Sequence, residues 1–236
     1  MKPKLVLFDL DGTLLNTIAD LSEAVNHALK LRDLPPHSLE EVTKMVGHGV
    51  RNLITQALPA ELRDDTTTVD AVLADFTDYY FAHIDVYTQP YPGIPELITA
   101  LHSHGVLLAV ASNKFQAGTE YLIKTFFPGI PFVAVLGNRP GFPLKPDPEI
   151  VGEVLRKAGI KKEEAVMVGD SPTDMRTAAN GGIKGIAVGW GYRNMKDLVD
   201  ASSALRPFDG SQGPHAQGSQ SLTVVDSAEE LYKVIQ

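Results

Sequence analysis

Five short apolar segments, spaced along the chain, constrain the fold more than any other feature of the sequence. They lie at residues 5–8, 106–111, 132–136, 165–168 and 186–188. Each is apolar throughout, which is typical of parallel strands that are buried on both faces. Helical patterns that end in glycine lie between them, at 95–101 before Gly105 and at 147–158 before Gly159. The alternation predicts an α/β fold with a doubly wound, Rossmann-like parallel sheet.

The stretch from residue 17 to residue 90 interrupts this alternation and has no convincing strand pattern. Its first part places apolar residues on one face of a helix: Ile18, Leu21, Val25, Ala28 and Leu29. Thr17 is expected to cap this helix, with Asp20 as an acidic equivalent of the capping box. Further helices are predicted over 39–46, 50–57 and 69–82.

An all-helical stretch directly after the first strand predicts a small cap domain inserted into the α/β core. We expect the core to consist of residues 1–15 and 91–236 and the cap domain of residues 16–90. A later segment, 205–221, is rich in Gly, Ser, Gln and Pro. It is predicted to be a solvated surface loop, with a role in oligomer contacts as the alternative.

Polar side chains follow three of the predicted strands. They are Asp9, Asp11, Gly12 and Thr13 after the first strand, Ser112, Asn113 and Lys114 after the second, and Asp170 and Asp174 after the strand at 165–168. Lys145 precedes the last of these strands, in the segment LKPDP, where two prolines restrict the backbone. Because ligands bind at the carboxyl ends of parallel strands, we expect these groups to share one site.

Four carboxylates in a partly dry cleft repel one another strongly unless a cation lies among them. Carboxylate oxygens favour a hard cation, so the residues indicate Mg²⁺ rather than zinc. Lys145 adds a further positive charge. Together, Mg²⁺ and this ammonium can hold a dianion such as a phosphate.

The motifs DLDGT, SN, KPDP and GDSPTD occur in the order and spacing of the haloacid dehalogenase superfamily, which the chain resembles over nearly its whole length. The resemblance implies that Asp9 is the nucleophile and becomes an aspartyl phosphate. It implies that Asp11 protonates the leaving oxygen and then activates the hydrolytic water. Lys145 is implied to neutralise charge in the transition state.

Metal and phosphate ligands are implied by the same resemblance. The metal ligands would be Asp9 and Asp170 through their carboxylates, Asp11 through its backbone carbonyl, and Asp174 either directly or through water. Ser112 and the backbone of Asn113 would hold phosphoryl oxygens, and Thr13 would orient the region around Asp11.

Three further segments resemble the phosphoglycolate phosphatase-like branch: VGHGVRNLI at 46–54, PYPGIPELI at 90–98 and WGYRN at 190–194. This branch implies a phosphoric monoester hydrolase that acts on a small phosphorylated metabolite. The substrate's non-phosphate end would lie near Gly47, His48, Gly49 and Arg51. The chain has Asn16 and Thr17 where the family often has Asp-Ser, a change that leaves the chemistry intact.

Other functions share these motifs. A phosphomutase or a pyrophosphatase of the same fold would have nearly the same sequence pattern. A non-catalytic protein that binds Mg²⁺ and phosphate is a further alternative. Asp11 disfavours it, because a phosphate reservoir needs no second acid to handle protons. Dehalogenases and phosphonatases lack this second aspartate, so Asp11 favours a phosphate ester or anhydride as substrate.

Composition limits the partners and the location. The net charge of -8 argues against nucleic-acid binding, since a phosphate backbone needs clustered Lys and Arg. No apolar run approaches the roughly 18 residues that a membrane span requires. The chain has no cysteine and no signal-peptide pattern, so a cytoplasmic protein is predicted. Monomer and homodimer both remain open.

Overall fold

The computed structural model describes residues 2–194, Leu198 and residues 222–236. Within this part of the chain the strands are β1 Leu5–Phe8, β2 Leu15–Asn16, β3 Gln89–Pro90, β4 Leu107–Phe115, β5 Phe132–Asn138, β6 Ala165–Gly169, β7 Lys184–Val188 and β8 Thr223–Val225. Six of them form one parallel sheet in the order β5-β4-β1-β6-β7-β8. The prediction of a parallel α/β sheet is confirmed.

Helices cover both faces of this sheet. They are α5 Ile94–Ser103, α6 Gln116–Phe126, α7 Glu149–Ala158, α8 Pro172–Gly181 and α9 Ala228–Ile235. Successive side chains of a strand point to opposite faces. Val6 and Phe8 therefore pack in one apolar cluster with α5, α6 and α9, whereas Leu5 and Leu7 pack in another with α7 and α8. Burial on both faces explains why the strands are apolar throughout.

Four α-helices lie between the short strands β2 and β3: α1 Ile18–Lys30, α2 Leu39–Met45, α3 Val50–Ala57 and α4 Thr66–Ala82. They form the cap segment. Its two connections to the core run side by side, since Leu15 pairs with Pro90 and Asn16 with Gln89 in the antiparallel pair β2–β3. The insertion of helices after the first strand is confirmed, and the division into domains at residues 15 and 90 stays a prediction.

The predicted capping of α1 by Thr17 is wrong. Its side chain makes no capping hydrogen bond. The hydroxyl instead donates to the Asp11 carboxylate at 2.6 Å. Asp20 accepts hydrogen bonds from the Thr88 backbone N–H and hydroxyl at 2.8 and 2.7 Å, which ties α1 to the returning connection. Both side chains found tertiary partners, which local sequence spacing does not reveal.

Other differences concern strand ends and the C-terminus. Strand β4 continues to Phe115, so Ser112 and Asn113 lie within it rather than after it, beside an irregularity in its pairing with β5. The elements β8 and α9 were not predicted. The expected surface loop at 205–221 lies outside the described residues. Among those described, no helix is both long and apolar enough to cross a membrane.

Candidate active site

The central position of β1 brings the predicted site residues together. Phe8 is level with Val110 of β4 and with Val168 of β6, so the carboxyl ends of three strands lie next to one another. Asp9 directly follows the last residue of β1, and its N–H donates to the Val168 carbonyl at 2.9 Å. The residues at this edge, which we call the rim, are Asp9, Asp11, Thr13, Ser112, Asn113, Lys114, Lys145, Asp170 and Asp174.

Lys145 lies between two of the carboxylates. Its Nζ donates to Asp9 Oδ1 at 2.8 Å and to Asp174 Oδ1 at 2.7 Å, and its side chain is only 2 % exposed. The Asn113 side chain holds the lysine's backbone in place. Its Oδ1 accepts from the Lys145 N–H at 2.8 Å, and its Nδ2 donates to the Lys145 carbonyl at 3.1 Å. Asn113 thus positions the loop that carries the ammonium.

Asp170 and Asp174 are almost completely buried. Asp170 accepts from the Tyr192 N–H at 2.7 Å and from the Thr13 hydroxyl at 3.3 Å. Asp174 accepts from the hydroxyl and the N–H of Ser171, at 2.6 and 3.1 Å, in the capping box that begins α8. Because Asp174 also accepts from Lys145, both of its oxygens have partners.

Glycine is required beside Asp170. Gly12 has a φ of +88°, a backbone conformation that side chains disfavour. A Cβ at Gly12 would collide with the Asp170 carboxylate, and a Cβ at Gly191 would collide with the Asp170 side chain and the Gly12 carbonyl. The backbone at Gly12 and the backbone at Gly191 therefore both approach the Asp170 carboxylate closely and restrict its position.

The carboxylates at the rim carry more negative charge than the nearby lysine balances. Burial and repulsion from Asp174 raise the pKa of Asp9 to about 7, against the lowering effect of Lys145. Burial, together with Asp174 and Asp9, raises the pKa of Asp170 to about 8. Burial on its own would lower the pKa of Lys145, but Asp174 and Asp9 outweigh it, so this pKa lies above its ordinary value. A further cation among these groups would relieve the repulsion.

Three carboxylates are close enough to bind one metal ion. Asp9, Asp170 and Asp174 each offer an oxygen within 4.8 Å of the others. The Asp11 carboxylate is engaged elsewhere, since it accepts from Thr17 at 2.6 Å and from Lys114 at 3.1 Å. Within the described residues, the side chains that could hold a metal at the rim are thus Asp9 after β1, Asp170 after β6 and Asp174 in the first turn of α8.

The cap segment lines the side of the cleft that lies opposite the rim. Its apolar wall includes Val46, Val50, Leu53 and Phe76. Two side chains of the core reach across to the backbone carbonyls of this segment. Asn113 Nδ2 donates to the Gly47 carbonyl at 3.0 Å, and the Arg193 guanidinium donates to the carbonyls of residues Thr43 and Val46 at the end of α2.

The structure brings only part of the predicted cap set to this cleft. Gly47 and Gly49 line it. His48 is exposed, and the Arg51 side chain is 57 % exposed and forms an ion pair with Asp70. Val50 and Leu53 are three positions apart and share the inner face of α3, so Arg51 points away from the cleft. The expectation that His48 and Arg51 lie near a substrate does not agree with this arrangement.

The fold and the rim can now be compared with known proteins. Residues 6–188 match the family described as haloacid dehalogenase-like hydrolase. This match spans most of the chain and every residue of the rim. The chain belongs to this family. The resemblance inferred from the four motifs is confirmed.

Relatives within the family indicate which branch of it the chain resembles. The phosphoglycolate phosphatase of Mesorhizobium japonicum is 36 % identical over 89 % of this chain and 93 % of its own length. That of Rhodospirillum rubrum is 35 % identical over 88 % and 87 %. The crystal structure of a predicted phosphoglycolate phosphatase from Haemophilus somnus superposes with a TM-score of 0.84, at 26 % identity, and covers 100 % of this chain and 99 % of that one. This haloacid dehalogenase-like hydrolase is a phosphatase, as predicted.

The sequence analysis gave no role at the site to four polar side chains: Thr17, Tyr80, Lys114 and Tyr192. They surround the Asp11 carboxylate. Lys114 was expected at this site, because it directly follows Ser112 and Asn113, but no task was assigned to it. Tyr80 gives no such signal, since an aromatic residue on a helix face usually indicates packing.

Proposed function

We propose that the chain is a Mg²⁺-dependent phosphatase that hydrolyses a small phosphorylated metabolite through an aspartyl phosphate at Asp9. One observation carries the proposal. A buried ammonium, Lys145 Nζ, bridges Asp9 and Asp174 within 2.8 Å, beside a third buried carboxylate, Asp170. Such a site is suited to a substrate that brings negative charge together with a metal that brings positive charge.

The rim fits a hard divalent cation. All the candidate side-chain ligands are carboxylate oxygens, which suit Mg²⁺. The three carboxylates and one ammonium leave two negative charges, which one divalent cation would balance. Asp9 and Asp170 would hold Mg²⁺ directly. Asp174 would act directly or through water, and the assignment of the Asp11 carbonyl rests on the resemblance.

The chemistry proposed for the side chains has two steps. An Asp9 oxygen forms a bond to phosphorus while the bond from phosphorus to the leaving oxygen breaks, and Asp11 gives that oxygen a proton. Water then attacks the aspartyl phosphate, Asp11 takes the proton, and phosphate and free Asp9 are released. Lys145 and the hydroxyl of Ser112 stabilise the charge on the phosphoryl oxygens. Bound Mg²⁺ would supply further positive charge at the phosphoryl group.

The substrate class is proposed from the relatives and from the cleft. Proteins similar over nearly the whole chain are named phosphoglycolate phosphatases, which supports a small phosphorylated carboxylic acid such as 2-phosphoglycolate. The cap segment, whose side chains line the cleft opposite the rim, also favours a small substrate. We place the enzyme in the cytoplasm, as a monomer or homodimer. Among the residues that the structure describes, no specific contact favours a phosphomutase or a pyrophosphatase.

A panel of phosphate compounds tests this function. It contains 2-phosphoglycolate, sugar phosphates, nucleotides and pyrophosphate, each with Mg²⁺ or with EDTA. We expect phosphate release from a small ester with Mg²⁺, and none with EDTA or from the Asp9→Asn variant. Isomerisation of a sugar phosphate that needs a sugar bisphosphate primer, without steady phosphate release, would support the phosphomutase, whereas a flat profile across the panel would support a binding protein.

A further inference from the structure

The Lys114 ammonium is buried at the site, yet the proposed chemistry gives it no task. Its side chain is 3 % exposed, compared with 50 to 70 % for surface lysines such as Lys44, Lys157 and Lys233. Burying an ammonium is costly unless it is paired and hydrogen-bonded. A lysine held at this depth therefore needs specific partners, and the structure provides two.

One partner is Asp11, at the start of the cap connection. Lys114 Nζ donates to Asp11 Oδ1 at 3.1 Å and to Oδ2 at 3.4 Å. The Thr17 hydroxyl donates to the same Oδ1 at 2.6 Å. Oδ1 therefore receives the two shorter hydrogen bonds, and Oδ2, within the described residues, only the longest. The arrangement fixes the carboxyl group by one oxygen and leaves the other able to carry a proton.

The other partner belongs to the cap segment. Lys114 Nζ donates to the Tyr80 hydroxyl at 2.7 Å and lies 4.7 Å from the centre of the Tyr80 ring. Tyr80 is completely buried in α4, where it stacks on Phe76 and meets Phe115 edge to face. This packing gives the phenol a fixed position. The ammonium thus bridges a rigid point of the cap segment and the carboxylate of Asp11.

We propose that Lys114 is a positioning residue for Asp11 and that Tyr80 holds it in place when the cap segment lies on the core. The inference rests on the proposed function, in which Asp11 transfers the proton. The fixed Oδ1 orients Oδ2 toward the leaving oxygen. A cap segment displaced from the core removes Tyr80 from Lys114, so Asp11 is held correctly only in the closed enzyme. Proton transfer is thereby linked to closure.

The role has a kinetic consequence that a simple packing role lacks. An alkyl phosphate has a poor leaving group that needs the proton from Asp11, whereas nitrophenolate leaves without one. The specificity constant kcat/KM reports the steps up to phosphoryl transfer. Misplacing Asp11 therefore lowers kcat/KM for an alkyl ester far more than for p-nitrophenyl phosphate. A distorted site lowers both values by the same factor.

The test compares these two esters in four variants, each checked for thermal unfolding. With Lys114→Met we expect kcat/KM to fall about 100-fold for 2-phosphoglycolate, or for whichever alkyl ester of the panel is turned over fastest, and less than about 5-fold for p-nitrophenyl phosphate. Tyr80→Phe removes one hydroxyl and should shift the ratio in the same direction by about 5-fold. Lys233→Met and Tyr121→Phe, which make the same changes on the surface, should leave the ratio unaltered.

Each outcome either supports or overturns the positioning role of Lys114. The positioning role would be overturned if kcat/KM fell by the same factor on both esters. It would also be overturned if neither Lys114→Met nor Tyr80→Phe lowered kcat/KM. Both outcomes would leave the assignment as a phosphatase in place. If Lys114→Met fails to fold, the ratio for Tyr80→Phe decides alone. A wild-type enzyme that releases phosphate from neither ester with Mg²⁺ would refute the proposed function, and this inference with it.

Discussion

The rim of the sheet and the cap surface opposite it are built from different kinds of interaction. At the rim, Asp9, Asp170 and Lys145 are buried charged groups that hold one another at 2.7 to 3.3 Å or are held by fixed neighbours. The cap surface offers mainly apolar side chains, such as Val50 and Leu53. Charged groups at fixed distances determine which reaction is possible, whereas an apolar wall determines only the shape and size of what fits. The charged groups of the reaction thus lie in the core, and the wall that shapes the substrate lies in the cap segment, which reaches the chemistry through Tyr80 and its contact with Lys114.

The largest effect is expected at Asp9. Asn in its place has the same shape but cannot form the acyl phosphate, so we expect Asp9→Asn to lower kcat by at least about 10⁴-fold. Because the neutral amide removes repulsion from Asp174, the melting temperature should change little. Phosphate release and calorimetry measure the two quantities. An active Asn variant would contradict the nucleophile assignment.

Lys145→Met should have the next largest effect. The change leaves Asp9 and Asp174 without the cation between them, so we expect kcat/KM to fall by about 10²- to 10³-fold. Removing one member of a buried charge cluster should also lower the free energy of unfolding by about 3 kcal/mol. The matched control is Lys157→Met, a surface lysine that pairs with Glu153. Equal effects of the two substitutions would show that the rim has no special electrostatic character.

The pH dependence of stability tests the charge imbalance directly. The pKa values of Asp9 and Asp170 are raised to about 7 and about 8, so the folded protein binds these protons more tightly than the unfolded chain does. The stability that these two groups contribute is therefore fully present at acidic pH and is lost as the pH rises toward 8. For the metal-free protein we expect a loss of about 3 kcal/mol between pH 5 and pH 8, which Mg²⁺ largely restores. A free energy of unfolding that calorimetry finds unchanged between pH 5 and pH 8 and insensitive to Mg²⁺ would contradict this prediction.

Truncation of the cap wall should give a smaller and different effect. Val50→Ala removes apolar contact area without touching a charged group. We expect KM to rise by about 3- to 10-fold with kcat within about 2-fold. Steady-state kinetics on the best substrate of the panel separate the two constants. If Val50→Ala lowered kcat as much as Lys145→Met does, the proposed difference between the rim and the cap wall would be contradicted.

The smallest effect is expected at Arg51. Its side chain is exposed and its ion pair with Asp70 lies outside the cleft. Arg51→Ala should therefore leave both kcat and KM within about 2-fold of the wild-type values, since exposed ion pairs contribute little. A large rise in KM would restore the expectation, derived from the resemblance, that this arginine contacts the substrate.

The sequence allowed the rim to be predicted because its elements carry strong local signals. Short apolar strands next to Asp9 and Asp170 place these side chains at a common edge through the general geometry of parallel sheets. The strand pair β2–β3 was missed, since two residues per strand are too few to form a pattern. The three-residue strand β8 was missed for the same reason. The helix α9 places Ala228, Leu231 and Ile235 on one face, so its spacing did carry a helical signal.

The network around Asp11 could not be predicted for another reason. Thr17 was expected to cap α1, and the spacing to Asp20 supports that interpretation. Whether the Thr17 hydroxyl accepts from a local backbone N–H or donates to the Asp11 carboxylate depends on how the chain folds back at β2–β3. Likewise, the contact between Tyr80 and Lys114 joins residues 34 positions apart, and no periodicity encodes such a pair.

The hydrogen bonds from Asn113 and Arg193 to the cap segment have an evolutionary consequence. The acceptors are backbone carbonyls of Thr43, Val46 and Gly47, which every amino acid supplies. Substitutions along the inner wall of the cap can therefore accumulate without removing the polar contacts that dock it. New substrates become accessible through mutations of apolar side chains alone, while the hydrolytic machinery beneath is inherited unchanged.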